Sequence, residues 1–169
     1  AIGWRSVYLN IGRRPDGELG MAGNVDFTIE DLISDSHRSL YAWFTTFSER
    51  DTLPSRADFE PLDFPTSLQH LVLVDVEQDP VRYRARLVGT AITEARGLDA
   101  PGDYYDETTG TEEAIARAGA AVKSGKPSFY TNQPMTWSPK DYKRYSVLTL
   151  PMSSDGNTVD VIMCCLNFE

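Results

Sequence analysis

Apolar residues follow a helical spacing in the first part of the chain. Between residues 28 and 50 they recur at alternating steps of four and three, with one serine among them. Thr28 and Asp31 have the capping-box spacing that begins a helix. The pattern therefore predicts one helix over residues 28–50 with a single apolar seam. The seam consists of Ile29, Ile33, Ser36, Leu40, Trp43 and Phe47.

Five later segments have the alternation and the β-branched content of strands. A Gln-Asp-Pro break at residues 78–80 and an Asp-Gly pair at residues 155–156 predict hairpins. In the second segment, Tyr83, Ala85 and Leu87 alternate with arginines, so these three are expected on one face. The predicted strands are residues 68–77, 81–88, 128–137, 143–152 and 158–168.

The segment between the second and third strands has helical signals. Glycines and prolines in residues 89–110 predict short helical turns and loops. A capping box at Thr109 and Glu112 then predicts a longer helix, which Gly125 ends. Because the apolar stripe of this helix is thin, the helix can lie close to a sheet. The predicted stripe is Ile115, Ala118 and Val122.

The order of these elements predicts the fold class. Tight hairpins join antiparallel neighbours, so we expect an α+β fold with a five-stranded antiparallel sheet and short helices on one face. The last strand is apolar on both sides, and the helix over residues 28–50 is expected to cover the second face. It would do so within its own chain or across a homodimer. The candidate dimer anchor is Leu40, Trp43, Phe44 and Phe47.

The domain organisation follows from the distribution of glycine residues, and the expected partners follow from the net charge. Residues 1–27 are rich in glycine and are predicted to be a flexible N-terminal extension with at most one short extended piece, followed by one domain over residues 28–169. The net charge of −9 argues against nucleic-acid partners and anionic membranes, which require clustered cations. No apolar run approaches the length of a membrane span. We therefore expect a cytoplasmic protein with a small molecule or another protein as its partner.

Two segments resemble a known family. The run of residues 53–59, Leu-Pro-Ser-Arg-Ala-Asp-Phe, and the run of residues 83–90, Tyr-Arg-Ala-Arg-Leu-Val-Gly-Thr, are similar to those of a bacterial PAS-like family of small stand-alone proteins. The resemblance extends over roughly residues 30–168. It implies a five-stranded antiparallel sheet flanked by short helices, a pocket between them, and a role in sensing or signalling. We expect the domain to catalyse no reaction.

Familiar PAS cofactors do not fit the residues present. A b-type haem would need an axial ligand, usually histidine, from the helix before the third strand, and residues 109–125 contain neither histidine nor cysteine. A photoreactive flavin would need a cysteine in the helical block, whereas Cys164 and Cys165 lie on the last strand. No metal is expected either, because His37 and His70 lack ligand spacing. An unidentified small organic ligand remains, or an empty apolar pocket that serves as a docking element.

The candidate ligand-binding residues are cationic, phenolic or aromatic. Arginine side chains can hold a carboxylate or phosphate through a bidentate fork, and hydroxyl groups can add hydrogen bonds. Of the arginines, Arg56 is the one expected to have a structural role in its loop. The candidates are Arg56, Tyr83, Arg84, Thr90, Tyr104, Tyr105, Phe129 and Tyr145.

Two alternatives to a sensor are open at this stage. One is an enzyme of the small cone-shaped α+β class, with Asp75, Tyr83 and His70 as acid–base candidates. Against it, the chain has no nucleophile elbow, phosphate loop or metal cluster. The other alternative is a scaffold domain whose pocket has collapsed.

Overall fold

The computed structural model describes residues 8–10, 22–24, 27–48, 50–97, 102–140 and 143–169. Within these residues it contains seven strands and three α-helices, joined by short 3-10 turns. The strands are β1 (Tyr8–Asn10), β2 (Ala22–Asn24), β3 (Leu71–Glu77), β4 (Arg82–Val88), β5 (Ser128–Pro134), β6 (Arg144–Met152) and β7 (Val161–Phe168). The helices are α1 (Asp35–Ser48), α2 (Thr90–Arg96) and α3 (Glu112–Ser124).

All strands belong to one antiparallel sheet in the order β1-β2-β5-β6-β7-β3-β4. The five predicted strands are β3 to β7, and the predicted five-stranded antiparallel arrangement is confirmed. Two short N-terminal strands extend the sheet beyond β5, where Gly23 pairs with Tyr130. The other residues of the predicted flexible extension, 1–7, 11–21 and 25–26, lie outside the described residues.

The first helix is shorter than predicted. The Thr28 backbone N–H donates to Asp31 Oδ2 at 2.7 Å, but this pair caps a 3-10 turn over Ile29–Asp31. Helix α1 begins only at Asp35, because Leu32 is in an extended conformation that buries its side chain. Ser34 Oγ accepts from the His37 backbone N–H at 3.0 Å and caps the helix.

Helix α1 covers one face of the sheet within its own chain. Leu40, Phe44 and Phe47 are buried, and Trp43 is partly buried in a group of aromatic rings. Helices α2 and α3 lie over the opposite face. The predicted placement of helices on the two faces is confirmed, and the helix that covers the second face belongs to the same chain. A homodimer would have to use a surface other than the buried seam.

Strand β4 contains a β-bulge, so some of its side chains lie on a different face of the sheet from the one predicted. Leu73 pairs with Leu87, whereas the next residue, Val74, pairs with Ala85. The extra residue reverses the alternation, because a strand has a side-chain period of two. Tyr83 and Ala85 therefore share the face beneath α2 and α3 with Val88. The prediction that Leu87 lies with them was wrong, and its side chain is 44% exposed.

Helix α3 is rotated relative to the predicted stripe. Its N-cap is Thr111 rather than Thr109, and it ends, as predicted, at Gly125, where φ is +62°. The buried residues are Arg117, Ala118 and Ala121, so the inward stripe is displaced by about one residue. Ile115 and Val122, which were expected on the stripe, are only partly buried. Alanines on the inner side leave room between α3 and the sheet.

Candidate ligand pocket

A cavity of about 90 Å³ lies between the sheet and the helical block. Its floor is made by residues of β3, β4, β6 and β7, and its roof by α2, α3 and the loops around them. Most of the wall is aliphatic, because each contributing strand turns its alternate apolar residues to this face. The aliphatic lining residues are Val72, Val74, Ala85, Val88, Ile92, Ala114, Ala118, Val147, Ile162 and Leu166.

The roof is held by hydrogen bonds between loops. The Thr111 hydroxyl donates to the carbonyls of Tyr105 and Thr108, the latter at 2.8 Å. The Thr136 hydroxyl donates to the Gly110 carbonyl at 2.7 Å. Gly110 has φ of +79°, and a Cβ there would lie 2.0 Å from the Thr136 carbonyl oxygen. Only glycine therefore permits this close approach of the two loops.

Arg117 is a buried cation in the cavity wall. Its side chain comes from α3 and is 6% exposed. The guanidinium donates to Gln133 Oε1 at 3.1 Å and to the Tyr145 hydroxyl oxygen at 2.6 Å. The same group lies 5.8 Å from the centre of the Tyr130 ring. These contacts hold the planar guanidinium in one orientation at the sheet surface.

Two phenols border the cavity on opposite sides. Tyr145 rises from β6 and packs edge-on against Trp137, with ring centres 5.7 Å apart. Tyr105 descends from the 3-10 turn Tyr105–Glu107. Burial raises the pKa of Tyr105 well above its usual range, although nearby Arg117 opposes the shift. Tyr105 therefore remains a neutral hydrogen-bond donor at physiological pH.

Thr149 and Cys164 form a small polar pair on the floor. They face each other in the register of β6 and β7. Thr149 Oγ1 is buried with no hydrogen-bond partner of good geometry in the described part of the chain. Burial raises the pKa of the Cys164 thiol to about 11, so the thiol stays protonated. A thiol is a weak hydrogen-bonding group, which leaves the hydroxyl largely unsatisfied.

An ion pair lies at the edge of the cavity. Arg96 at the end of α2 contacts Asp103, with Nη2 and Oδ2 3.5 Å apart. The Asp103 side chain is about half exposed, which places this pair near solvent. Such a pair contributes little to stability, and it places a carboxylate at the edge of the cavity, whereas the side chain of Arg117 is buried in the wall.

The structure brings two of the predicted ligand residues to the cavity, Tyr105 and Tyr145. Tyr83 lies on the same face, but its hydroxyl is directed at Gly119 of α3. Phe129 lies on the opposite face, where its ring contacts His37 of α1. The fold separates Phe129 from the cavity because it is one residue away from Tyr130 on the same strand.

The other predicted ligand residues lie at the surface. Arg84 donates to the Gly102 carbonyl at 3.0 Å, and the Tyr104 hydroxyl donates to Glu77. Thr90 is exposed at the start of α2. Arg56 reaches the Phe59 carbonyl in its own loop at 3.5 Å, in keeping with the structural role expected for it. None of these four lines the cavity.

Sequence reasoning missed the most polar lining groups. Arg117 was overlooked because a helical arginine is usually exposed. The available signal was its position between Ala114, Ala118 and Ala121, a small-residue stripe on which a cation is unusual. Thr149 gave no signal, since threonine is common in strands.

The three acid–base candidates of the enzyme hypothesis, Asp75, Tyr83 and His70, do not lie together in the structure. Asp75 contacts Arg86 at 3.6 Å and lies on the α1 face of β3, whereas Tyr83 lies on the other face. His70 precedes β3, five residues before Asp75, at the other end of that strand. In the described ranges, no cluster of metal-ligating side chains is found.

A family comparison agrees with this architecture. A family model described as a PAS domain matches residues 32–167, which is most of the chain. The chain belongs to the PAS family. Comparison with curated proteins gives no match. The resemblance inferred from the sequence is thus confirmed, and PAS membership indicates a sensory or signalling module.

The matched range of the PAS domain contains every lining residue of the cavity and all of α1. Strands β1 and β2 precede it. Among the described helices of this PAS domain, none is both long and apolar enough to span a membrane.

Proposed function

We propose that this PAS domain is a sensory module that binds a small organic molecule in the cavity beneath α2 and α3. The observation that carries the proposal is the cavity itself, with aliphatic walls and a few fixed polar groups. This composition is typical of small-molecule sites. The proposal assigns no catalysis to the domain, because its acid–base candidates lie apart and its buried phenol and thiol stay protonated.

A hydrogen bond connects strand β7, which lines the cavity, to helix α1 on the other face of the sheet. Cys164 lines the cavity, the side chain of the next residue, Cys165, is buried on the α1 side of the sheet, and the Cys165 carbonyl is within reach of α1. His37 Nε2 lies 2.9 Å from that carbonyl oxygen and donates to it, since a carbonyl only accepts. A ligand that displaces β7 would therefore shift the position of α1 on the sheet. We propose that the output is association with a second copy or with a signalling protein in the cytoplasm.

The proposal predicts ligand capture that depends on the volume of the cavity. Ala114→Leu adds bulk to the cavity wall, whereas Ala116→Leu on the same helix adds it to an exposed site. Native mass spectrometry of the protein and a thermal-shift screen with neutral, cationic and anionic small molecules provide the readout. We expect bound or stabilising molecules for the wild type and Ala116→Leu, and their loss in Ala114→Leu.

Two results would count against the sensor. Equal ligand shifts in both variants would place binding elsewhere. The absence of any binder from all three classes would favour a scaffold domain, to which the modest cavity of about 90 Å³ is also suited.

A further inference from the structure

We infer that the cavity selects an uncharged small molecule with an apolar body and one acceptor oxygen, which accepts a hydrogen bond from the Tyr145 hydroxyl. A short ketone, aldehyde or ether is such a molecule. The inference rests on the proposed function, because it names the chemical class of the molecule that the cavity would bind. It comes from the charge balance of the cavity wall, from the hydrogen bonding of Tyr145 and from the size of the cavity.

The charged groups of the cavity wall are already engaged with the protein. The lining residues that the structure describes include three charged ones, Arg96, Asp103 and Arg117. Arg96 and Asp103 pair with each other at the edge, with Nη2 and Oδ2 3.5 Å apart. Arg117 donates to Gln133 and Tyr145 and has further contacts. A charged ligand would therefore have to compete with protein partners for each of these three groups.

The helix that carries Arg117 also supplies a nearby negative charge. Glu113 is partly buried and precedes Arg117 on α3 at the spacing where side chains of opposite charge lie side by side. The two charges together leave this part of the wall close to neutral. An ion that enters the cavity would lose its hydration without gaining an opposite charge of its own, which is costly. An uncharged ligand avoids this cost.

The other polar groups of the wall do not provide a charge at physiological pH. Burial raises the pKa of Tyr105 well above its usual range and that of the Cys164 thiol to about 11. The Thr111 hydroxyl does not titrate, and it donates to the carbonyls of Tyr105 and Thr108. Such groups can exchange hydrogen bonds with a neutral ligand, but they cannot neutralise an ionic one.

Tyr145 supplies the donor for the ligand. The residue lines the cavity, is 1% exposed, and its hydroxyl oxygen accepts from Arg117 at 2.6 Å. The phenol hydrogen is then left to be donated, and no acceptor for it is found among the described residues. The bond received from the guanidinium polarises the phenol and strengthens it as a donor. A ligand oxygen would accept this hydrogen, whereas a hydrocarbon would leave it unsatisfied.

The volume of the cavity limits the size of the ligand. About 90 Å³ is smaller than the ~150 Å³ of an engineered apolar cavity that binds benzene. The expected ligand therefore has fewer non-hydrogen atoms than benzene. Its hydrocarbon part would lie against the aliphatic wall, and the burial of this part supplies the main driving force for binding. The nearest wall residues of the sheet are Val74, Val147 and Ile162.

The first test uses probes of equal size that differ in charge. Butanone, propanoate, butan-2-ylammonium and 2-methylbutane have the same number of non-hydrogen atoms. Protein-observed NMR titrations would give their affinities and show whether the amides of β6 and β7 respond. We expect butanone to bind ~10-fold or more tightly than either ion. Ala114→Leu should abolish butanone binding, and Ala116→Leu should not.

The second test concerns the acceptor oxygen. Tyr145→Phe should weaken butanone by ~3- to 10-fold and leave 2-methylbutane, which has no acceptor, unchanged. Tyr130→Phe is the matched control, because it removes the hydroxyl of a buried phenol on the same face that is not among the lining residues. The control should change neither affinity. Equal weakening of butanone and 2-methylbutane in Tyr145→Phe would overturn the role of the Tyr145 hydroxyl.

A measurement on the wild type keeps the acceptor testable if Tyr145→Phe does not fold. The carbonyl carbon of ¹³C-labelled butanone resonates further downfield when its oxygen accepts a hydrogen bond. We expect the shift extrapolated to the bound state to be close to the value in water. A bound-state shift close to the value in cyclohexane would mean that the carbonyl accepts no hydrogen bond in the cavity.

The possible outcomes separate this inference from the proposed function. Preferential binding of butanone that is lost in Ala114→Leu supports both. If one of the ions binds as tightly as butanone and Ala114→Leu abolishes that binding, the uncharged class is overturned and the sensor stands. If none of the probes binds, this inference is overturned. The proposed function is overturned with it only if the wider screen of neutral, cationic and anionic molecules also finds no binder.

Discussion

The two faces of the sheet are built from the same strands but differ in how they are filled. On the α1 face, Leu148, Leu150 and Met152 of β6 meet large aromatic rings. On the other face, the alternating residues Tyr145, Val147 and Thr149 of β6 lie below the alanines of α3. The aromatic side is filled by large rings, whereas the alanine side leaves a cavity and, among the described residues, one buried hydroxyl, that of Thr149, without a hydrogen-bond partner of good geometry.

This difference indicates a division of roles between the faces. A close-packed apolar face contributes most to the free energy of folding, because every methylene there has neighbours on all sides. A face with a cavity gives up some of those contacts and retains groups that a ligand can satisfy. The α1 face is therefore expected to carry stability, and the α3 face to carry binding.

The largest expected effect tests this division with two leucines. Leu148→Ala on the α1 face should lower the free energy of unfolding by ~3–5 kcal/mol, since Leu148 is 0% exposed. Leu166→Ala should cost only ~2 kcal/mol, because Leu166 lines the cavity and part of its side chain borders unfilled space. Urea denaturation measures both. Equal losses would mean that the two faces are packed alike.

A second, intermediate effect concerns pH and the buried His37. Burial lowers the pKa of His37 to about 4, against a partly compensating hydrogen bond to Cys165. As the pH falls from about 6.5 to about 4, the unfolded chain binds a proton that the native state does not, so the native state loses stability. The full shift corresponds to ~3 kcal/mol.

The matched variant for this prediction is His37→Gln, which keeps an N–H donor for the Cys165 carbonyl and does not titrate. Urea denaturation between about pH 7 and pH 4.5 should give a flatter loss of stability for the variant than for the wild type. Parallel curves would show that His37 does not contribute to the pH dependence of the α1 face.

The smallest expected effect is on the cavity side. Thr149→Val replaces an unsatisfied buried hydroxyl with a methyl group of similar size, so stability should stay within ~1 kcal/mol and change in the stabilising direction. Ser146→Ala in the same strand is the control, because the Ser146 hydroxyl donates to Glu169 Oε1 at 2.6 Å. The control should lose stability by ~1 kcal/mol or more. A loss in Thr149→Val as large as in the control would show that the Thr149 hydroxyl has a partner.

Most of the fold could be predicted from local patterns. Strand alternation, the hairpin breaks and the glycine at position 125 are signals that act over a few residues, and each appears in the structure. The start of α1 was misplaced because two cap signals compete, at Thr28 and at Ser34. The outcome depended on burying Leu32, which is a tertiary contact.

The candidate site was less accessible to sequence reasoning. Tyr105 and Tyr145 were predicted because phenols suit ligand sites, but Arg117 and Thr149 were not. Leu87 was assigned to the wrong face because a one-residue bulge leaves no clear mark in a strand that alternates cleanly. Rotation of α3 by about one residue likewise depends on which side chains fit the sheet.

The sequence by itself determined the order of the elements, the antiparallel pairing and the apolar character of both sheet faces, because periodicity and turn chemistry are local properties. Only the tertiary structure decided that one face is filled and the other has a cavity. That outcome depends on the summed volumes of side chains from distant segments, aromatic on the α1 side and mostly alanine on the α3 side. It also placed the Arg117 guanidinium and the Thr149 hydroxyl at one cavity, although 32 positions separate them in the chain.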